Sequence, residues 1–329
     1  MTTLGASLST APPTLSLAKA AHLAQHHFGI TGELTQLTSE RDLNFRLTTA
    51  TAQYVLKLAN PAEPPEVTHF QTAALLHLDR TRLPVPKVIR TLTNETEAAT
   101  PHGILRLLTY MQGLPQYLSP RTPVQRKNLG TAAAKLSLGL QGFHHPAATH
   151  VLQWDIKHAA NLRPLLPHVP ANIRQLATET LDRFDRDIAP LIPTLRTQVV
   201  HNDLNPHNVL VNPANTDEIA AILDFGDMVE TPLICDAAVT ACYQIDAAQP
   251  WQSLLDVAKA YHAILPLTAL ETRLLPDLVA TRMLTSLAIA SARVAMHPDN
   301  APYILRNYQG AQDGLIALAN LPRILLELS

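Results

Sequence analysis

The chain has 329 residues, of which 47% are hydrophobic, and its 25 Lys and Arg residues nearly balance its 27 Asp and Glu residues. This length suits one large domain or two lobes, and the apolar fraction excludes wholesale disorder. The formal net charge of −2 argues against nucleic-acid binding, because affinity for polyanions depends on clustered Lys and Arg.

The sequence lacks the features of a secreted, disulfide-bonded or membrane-spanning protein. Residues 1–20 have no basic segment ahead of an apolar block, so a secretory signal is not expected. No run of about 18 uninterrupted apolar residues occurs. The two cysteines, Cys235 and Cys242, cannot form a disulfide framework, and we interpret them as small buried hydrophobic residues. The sequence therefore predicts a cytoplasmic protein with no nucleic-acid or membrane partner.

Hydrophobic periodicity in the first third of the chain predicts short strands and two helices. Helical patterns cover Ser16–Phe28 and Glu66–Leu78. Three short β-prone runs over residues 34–58 predict an antiparallel meander. Two more strand-like runs cover Pro86–Leu92 and Gly103–Thr109. We therefore expect a five-stranded antiparallel sheet with one packed helix.

The rest of the chain is predicted to be mainly helical, except for residues 199–225, which predict strands and tight turns. The predicted helices are Val124–Leu140, Ile173–Ile188, Trp251–Ile264, Glu271–Ala295 and Tyr303–Leu318. The expected fold class is α+β and bilobal, with a cleft between the lobes. Residues 1–110 would form a small lobe with an antiparallel sheet, and residues 111–329 a larger, mainly helical lobe.

Polar side chains with catalytic potential are concentrated in two loops. Asp203 and Asn208 lie between two apolar, β-prone runs, and Asp224 follows a third. Mg²⁺ prefers hard oxygen ligands and often binds through one or two carboxylates plus substrate phosphates. Asp224 can supply a carboxylate and Asn208 an amide oxygen, while Asp203 can accept a proton from an attacking hydroxyl. This set predicts phosphoryl transfer, in which catalysis is mostly positioning and charge neutralisation.

The order of these residues matches the kinase catalytic loop and the Asp-Phe-Gly motif that follows it. His201 precedes Asp203 by two residues, Asn208 follows five residues later, and Asp224 begins Asp-Phe-Gly. Each residue also has a simpler interpretation, because Asp and Asn are common in turns and at strand ends. Their joint occurrence in this order favours catalysis, with His201 as a structural residue that fixes the loop. A metal-dependent phosphatase is a weaker alternative, since it would not need Lys57, which lies in the β-prone run Tyr54–Leu58.

With these motifs the sequence resembles the aminoglycoside-phosphotransferase-like small-molecule kinases, a branch of the protein-kinase fold. The resemblance extends from about Leu34 to at least Ala241 and is most specific at His201–Asn208 and Leu223–Asp227. The string Leu223–Asp236 is most similar to hydroxylysine kinases and to phosphotransferase domains fused to some class III aminotransferases. Homoserine kinases of type II belong to the same branch. The resemblance implies Mg²⁺-dependent transfer of the γ-phosphate of ATP or GTP to a hydroxyl of a small acceptor.

The resemblance implies a role for each matching residue. Asp203 corresponds to the catalytic base, and Asn208 and Asp224 correspond to the Mg²⁺ ligands. Lys57 corresponds to the lysine that holds the α- and β-phosphates of the nucleotide. Asp236 corresponds to an aspartate that braces the catalytic segment.

Two further segments correspond to nucleotide contacts. The loop from Ser39 to Asn44 stands in place of a glycine-rich loop but contains no glycine. Its backbone N–H groups, with the side chains of Ser39 and Asn44, can meet phosphate oxygens. The hinge, whose backbone contacts the adenine or guanine ring, corresponds to Leu108–Met111 and includes Thr109 and Met111.

Three questions stay open at the level of the sequence. The partner of Lys57 on the predicted helix is either Glu66 or Gln71, which point to different sides of that helix. Asp227 and Glu230 add negative charge near the catalytic segment and favour a cationic acceptor, among hydroxylysine-like amino acids, homoserine, choline or ethanolamine, and aminoglycosides. A pseudokinase or nucleotide sensor that binds without transferring phosphate is the alternative function, although such a module has no use for a base.

Overall fold

The computed structural model describes residues 13–39, 41–320 and 326–328. Residues 1–12, over which the sequence predicts no secretory signal, lie outside the described residues. The chain forms two compact units. The N-terminal unit extends to Gln112 and also includes His145–His150. The C-terminal unit consists of Gly113–His144 and the chain from Val151 onward.

The N-terminal unit is built on an antiparallel sheet. Its strands are β1 (Glu33–Leu37), β2 (Leu43–Thr48), β3 (Gln53–Leu58), β4 (Val88–Ile89), β5 (Ala98–Thr100) and β6 (Gly103–Thr109). The strands are hydrogen-bonded in the order β1-β2-β3-β6-β4, and β5 also pairs with β6. Along β2, Leu43, Phe45 and Leu47 are buried and alternate with half-buried residues, because successive strand side chains point to opposite faces.

Two helices accompany this sheet, α1 (Leu17–Phe28) and α2 (Pro65–Leu78). Leu23 and Phe28 of α1 belong to the same buried cluster as Phe45 and Leu56 of the sheet. The prediction of one packed helix is therefore wrong, because α1 also covers the sheet.

The prediction of five strands is wrong by one strand. The apolar run Pro86–Leu92 contributes only the two residues of β4, because a turn at Asn94, with φ of 66°, reverses the chain soon afterwards. The additional strand β5 forms a tight hairpin with β6, and Gly103 adopts φ of 126° at this turn. A side chain at Gly103 would also meet the carbonyl oxygen of Ala59, so glycine is required there.

The C-terminal unit is mainly helical and contains two small sheets, ordered β10-β9-β7 and β11-β8. Its strands are β7 (Leu114–Pro115), β8 (Thr197–Val200), β9 (Val209–Asn212), β10 (Asn215–Ile222) and β11 (Val229–Pro232). Its helices are α3 (Pro123–Gly139), α4 (Ala171–Arg183), α5 (Ile234–Cys242), α6 (Pro250–Ile264), α7 (Ala269–Met296), α8 (Ala301–Ile304) and α9 (Tyr308–Ala319). The expected fold class, α+β with an N-terminal antiparallel sheet and a mainly helical remainder, is confirmed.

Helix α7 forms the core of the C-terminal unit. It begins at a capping box, in which Thr268 and Glu271 each accept a backbone N–H bond from the other. By length and composition alone α7 could cross a membrane, but 78% of its most apolar window is buried inside the protein. Helices α5 and α9 pack directly against it. These contacts explain the apolar composition of α7 as that of a core helix.

Two predicted helices differ from the observed ones. The predicted helix Ile173–Ile188 is α-helical only to Arg183 and then widens into a π-helical turn at Phe184–Ile188. The predicted helix Tyr303–Leu318 is interrupted, because the backbone N–H of Tyr308 bonds to the carbonyl of Leu305 three residues earlier. This break separates α8 from α9. Both cysteines are buried, as predicted.

Candidate active site

Strand pairing brings the two polar loops of the C-terminal unit together. The loop 201–208 connects β8 to β9, and Asp224 follows β10, which pairs with β9. The backbone N–H of Leu223 donates to the carbonyl of Asn208 at 2.7 Å. His201 bonds through Nε2 to the carbonyl of Leu223 at 2.9 Å. The start of the Asp-Phe-Gly turn is thus fixed to both ends of the loop.

His201 acts as a structural residue in this arrangement. Its side chain is fully buried, and its ring meets the ring of Phe225 edge-on at 4.8 Å. Its Nδ1 accepts the backbone N–H of Asp203 at 3.2 Å, so the Nε2–H tautomer satisfies both hydrogen bonds. Burial lowers the pKa of His201, which keeps the imidazole neutral.

Asp203 and Asn208 are joined directly. The amide nitrogen of Asn208 donates to Asp203 Oδ2 at 2.7 Å and to the backbone carbonyl of Asp203 at 3.0 Å. Asn205 also donates to Asp203 Oδ2, at 2.9 Å. Because both contacts of the Asn208 amide are made by its nitrogen, its amide oxygen is the atom left for another ligand.

Asp224 occupies a left-handed backbone conformation, with φ of 57° and ψ of 85°. Such a conformation is costly for a residue with a side chain and persists where the surroundings enforce it, often at functional sites. Its Oδ1 accepts the backbone N–H of Gly226 at 3.1 Å, and the residue is exposed. The carboxylate therefore faces solvent at the end of β10.

Asp236, on α5, braces the loop from behind. Its Oδ1 accepts the backbone N–H of Asn202 at 2.9 Å, and its Oδ2 accepts the hydroxyl of Ser137 at 3.0 Å. Asn202 stands at φ of 63°, another left-handed position. Asp236 is completely buried, and this burial raises the pKa of its carboxyl. These contacts hold the backbone directly before Asp203 in place.

The surroundings of Asp203 raise its pKa to about 7. Burial is the main cause, since only 17% of the side-chain surface is exposed, and the nearby carboxylate of Asp227 adds to it. The positive charge of Arg282 and the hydrogen bond from Asn205 act in the opposite direction. A carboxyl with a pKa near neutrality is well matched to accepting a proton at physiological pH.

Sequence reasoning missed Arg282, a residue of α7. Its guanidinium lies 3.6 Å from Asp203 Oδ1, although the side chain is only 1% exposed. It donates to the carbonyl of Trp154 at 2.5 Å and to the hydroxyl of Tyr243 at 3.3 Å, and it lies over both aromatic rings. The available signal was a single charged residue, an arginine, within the otherwise uncharged stretch 278–290.

In the N-terminal unit, Lys57 lies in a row of polar side chains across the sheet. Asn44 of β2 and Arg106 of β6 are its direct cross-strand neighbours, so the three side chains share one face. Lys57 forms an ion pair with Asp42 at 3.0 Å. The charges of Lys57 and Arg106 lower the pKa of Asp42, outweighing the opposing effect of its burial.

One partner of Lys57, Asp42, therefore comes from the turn before β2. Gln71 of α2 instead accepts a hydrogen bond from Arg106 at 2.9 Å, and Glu66 is exposed at the start of α2. Asp42 was not singled out from the sequence, because its contact with Lys57 depends on the pairing of β2 with β3.

The remaining predicted nucleotide-binding residues also lie in the N-terminal unit. Ser39 lies in the β1–β2 turn, beside Glu40, which is outside the described residues. Asn44 belongs to β2 itself, and its buried Oδ1 has no hydrogen-bond partner among the described residues. Thr109 ends β6, and its hydroxyl lies 3.9 Å from the sulfur of Met111. The predicted nucleotide-binding residues thus lie in the N-terminal unit, and the predicted base and metal ligands lie in the C-terminal unit.

Solved structures of small-molecule kinases share the fold of this chain. An amicoumacin kinase in complex with AMP-PNP, Ca²⁺ and Ami has a TM-score of 0.69 at 14% identity, with 95% of this chain and 96% of that chain covered. A microcompartment-associated aminopropanol kinase has a TM-score of 0.70 at 18% identity, with 91% and 99% covered. These similarities establish the protein-kinase-like fold of the small-molecule kinases.

Sequence relatives indicate the same class. A hydroxylysine kinase of Mus musculus is 26% identical over 330 residues, with 91% of this chain and 88% of that protein covered. The protein is thus a small-molecule kinase, an enzyme that transfers phosphate to a hydroxyl group. It belongs to the phosphotransferase enzyme family, whose pattern matches residues 33–275, and the family expected from the sequence is confirmed.

Proposed function

We propose that the protein transfers the γ-phosphate of ATP or GTP to a hydroxyl of a small amine or amino-acid acceptor, in the cytoplasm and with Mg²⁺. Asp203 is the catalytic base, and Asn208 and Asp224 are the metal ligands. The observation that carries this proposal is the hydrogen bond between Asn208 and Asp203 in a loop that is tied to the start of the Asp224 turn.

The residues present fit a magnesium ion. Asn208 has its amide oxygen left for a ligand, and Asp224 presents an exposed carboxylate. One carboxylate, one neutral oxygen and the phosphates of a nucleotide form a donor set that Mg²⁺ accepts. Within residues 13–39, 41–320 and 326–328, no cluster of three or more His, Cys, Asp or Glu could hold a metal by protein groups alone. When bound, Mg²⁺ would neutralise charge on the phosphates.

The chain's own residues would supply positioning and proton transfer. Asp203 orients the acceptor hydroxyl and takes its proton as the oxygen attacks phosphorus, which its raised pKa favours. Lys57 neutralises phosphate charge in the N-terminal unit, with Ser39 and Asn44 as further contacts. Thr109 and Met111 lie in the hinge that receives the nucleotide base.

Hydroxylysine-like amino acids come first among acceptors. This order follows from the names of the relatives that match over most of the chain, which are hydroxylysine kinases. Homoserine, choline or ethanolamine, and aminoglycosides follow. The acidic residues Asp227 and Glu230 support an acceptor that carries a positive charge near its hydroxyl.

The test of this proposal has two stages. Thermal shift with ATP and GTP, with and without Mg²⁺, should show a nucleotide-dependent rise in Tm that requires the metal. Acceptor candidates are then added, and nucleotide consumption is measured. Acceptor-dependent consumption is the expected result, whereas binding without consumption for any acceptor would favour a sensor module.

Lys57→Ala is expected to weaken Mg²⁺–nucleotide binding by about 10- to 100-fold, the range for loss of a charge-assisted contact. The physical reason is that a fixed ammonium near the phosphates neutralises their charge. Calorimetric titration of the nucleotide measures the change. Lys19→Ala removes an exposed lysine of α1 and serves as the matched control. Equal affinities for the two variants would mean that Lys57 is only a strand residue.

Arg282→Met is expected to lower kcat by about 10- to 100-fold without a matching change in nucleotide affinity. Methionine fills the buried space but leaves Asp203 without its ion-pair partner, so the carboxylate is less well positioned. Arg282→Lys should restore part of kcat. Arg293→Met changes another buried arginine of α7, about 16 Å along the helix, and controls for general destabilisation. Equal losses of kcat in Arg282→Met and Arg293→Met would contradict a positioning role.

A further inference from the structure

A cavity of about 430 Å³ lies beside the catalytic loop, within the C-terminal unit. Pro206 and His207, three and four residues after Asp203 in the sequence, form one wall. Tyr243, at the end of α5, forms another. Its hydroxyl accepts a hydrogen bond from Arg282, which pairs with Asp203. The cavity is thus connected to Asp203 along the loop backbone and through the contacts of Tyr243 with Arg282 and of Arg282 with Asp203. Its volume suits a small ligand.

The cavity is lined by positive charge. Arg306, from the break between α8 and α9, and Arg121 both line it. Among the described residues, its lining includes no Asp or Glu. The two guanidinium groups are therefore the charged side chains that line the cavity, and Arg121 also interacts with the carboxylate of Asp246 outside this lining.

The two arginines differ in how much they are already engaged. Arg121 donates to the carbonyl of Tyr243 at 2.6 Å, which fixes its direction. Arg306 is exposed, and its guanidinium lies over the ring of Tyr303, 4.0 Å from the centroid. Stacking on a ring leaves the N–H edge of a guanidinium directed outward, where it can form two parallel hydrogen bonds with a carboxylate.

Acidic side chains surround the proposed base, Asp203, whereas guanidinium groups line this cavity. The carboxyl groups of Asp224 and Asp227 lie near Asp203, and these three acidic groups outnumber the guanidinium of Arg282, so the surroundings of the base attract a cation. Arg306 and Arg121 attract an anion within the cavity. An amino alcohol offers only a cation, whereas a hydroxylated amino acid offers both a cation and a carboxylate anion.

We propose that this cavity binds the carboxylate of the acceptor, held by Arg306 with support from Arg121, and that the acceptor is a hydroxylated amino acid. This inference rests on the proposed function and adds the residues that select the substrate class. It also separates the candidate acceptors, because choline and ethanolamine carry no carboxylate.

Matched acceptor pairs test the inference. The probes are 5-hydroxylysine against 1,5-diamino-2-pentanol, and homoserine against 3-amino-1-propanol, which differ only by the carboxylate. For the wild-type protein, kcat/KM should be at least about 10-fold higher for the carboxylated member of a pair, as a charge-assisted contact implies. Arg306→Gln should remove most of this preference by raising KM for the amino acid alone. Lys135→Gln, an exposed change of equal charge outside the cavity, should keep the preference.

Two other results have distinct meanings. Equal kcat/KM for both members of each pair, or an equal loss for both in Arg306→Gln, would overturn the carboxylate site and leave the kinase function standing. Calorimetric titration of the same probes in the absence of nucleotide provides a readout that does not need turnover. Carboxylate-dependent binding that Arg306→Gln abolishes, without phosphorylation of any probe, would support the cavity and count against the proposed function.

Discussion

The Asp203→Asn variant is expected to lose about 10²- to 10⁴-fold in kcat, the usual worth of general-base assistance. Asparagine keeps the shape of the side chain and one oxygen for Asn205 and Asn208, but it cannot take the proton of the acceptor hydroxyl. Nucleotide affinity should stay close to that of the wild-type protein, because the phosphates contact other groups. Steady-state kinetics with nucleotide titration on the same samples measures both quantities.

Loss of activity in this variant should not come from unfolding. A carboxyl whose pKa is raised to about 7 in the fold destabilises the protein progressively as the pH rises from about 4 through 7. Removing that charge should therefore leave Tm at pH 7.5, without metal, no lower than in the wild-type protein. Asp182→Asn, at an exposed ion pair with Arg163, serves as the control. Near-normal phosphorylation by Asp203→Asn would require another proton acceptor.

The Asp224→Asn variant is expected to lose both Mg²⁺-dependent nucleotide binding and rate, with kcat reduced on the order of 10³-fold. Metal charge stabilisation is worth several kcal/mol, and each 1.4 kcal/mol is a factor of ten. Asparagine tolerates the left-handed backbone and can still accept the N–H of Gly226, so the turn itself should persist. The carboxylate charge is the main change.

Titration of ATP and GTP at several Mg²⁺ concentrations measures this effect. The Asp203→Asn variant is the matched comparison, since it should bind Mg²⁺–nucleotide normally and yet turn over slowly. If Asp224→Asn kept wild-type metal-dependent affinity, the metal would have to be held elsewhere.

Local patterns were sufficient to predict the polar loops of the C-terminal unit. The order of His201, Asp203 and Asn208 between β-prone runs predicted a loop between strands, and the pairing of β9 with β10 brings Asp224 to its end. The loop could be predicted because its residues are close together in the sequence, so their spacing alone places them near one another. The catalytic and binding roles of these residues stay predictions.

The partners that surround these loops could not be predicted, because they come from distant segments. Arg282 is 79 residues from Asp203 along the chain, and it reaches that residue only through the packing of α7. The hydrophobic periodicity predicted one helix over Tyr303–Leu318, whereas local backbone hydrogen bonds interrupt the helix beside Arg306. Arg306 and Asn307, which line the cavity beside the loop, lie at that break.

Detection of the phosphorylated acceptor itself tests the proposed kinase activity. The wild-type protein, Mg²⁺, ATP or GTP and 5-hydroxylysine are incubated, and the products are analysed by ³¹P NMR and mass spectrometry. We expect a phosphate ester that forms in step with nucleotide consumption, requires Mg²⁺ and is nearly absent with Asp203→Asn. Metal-dependent nucleotide binding without an ester on any tested hydroxyl acceptor, or equal ester formation by Asp203→Asn, would contradict it.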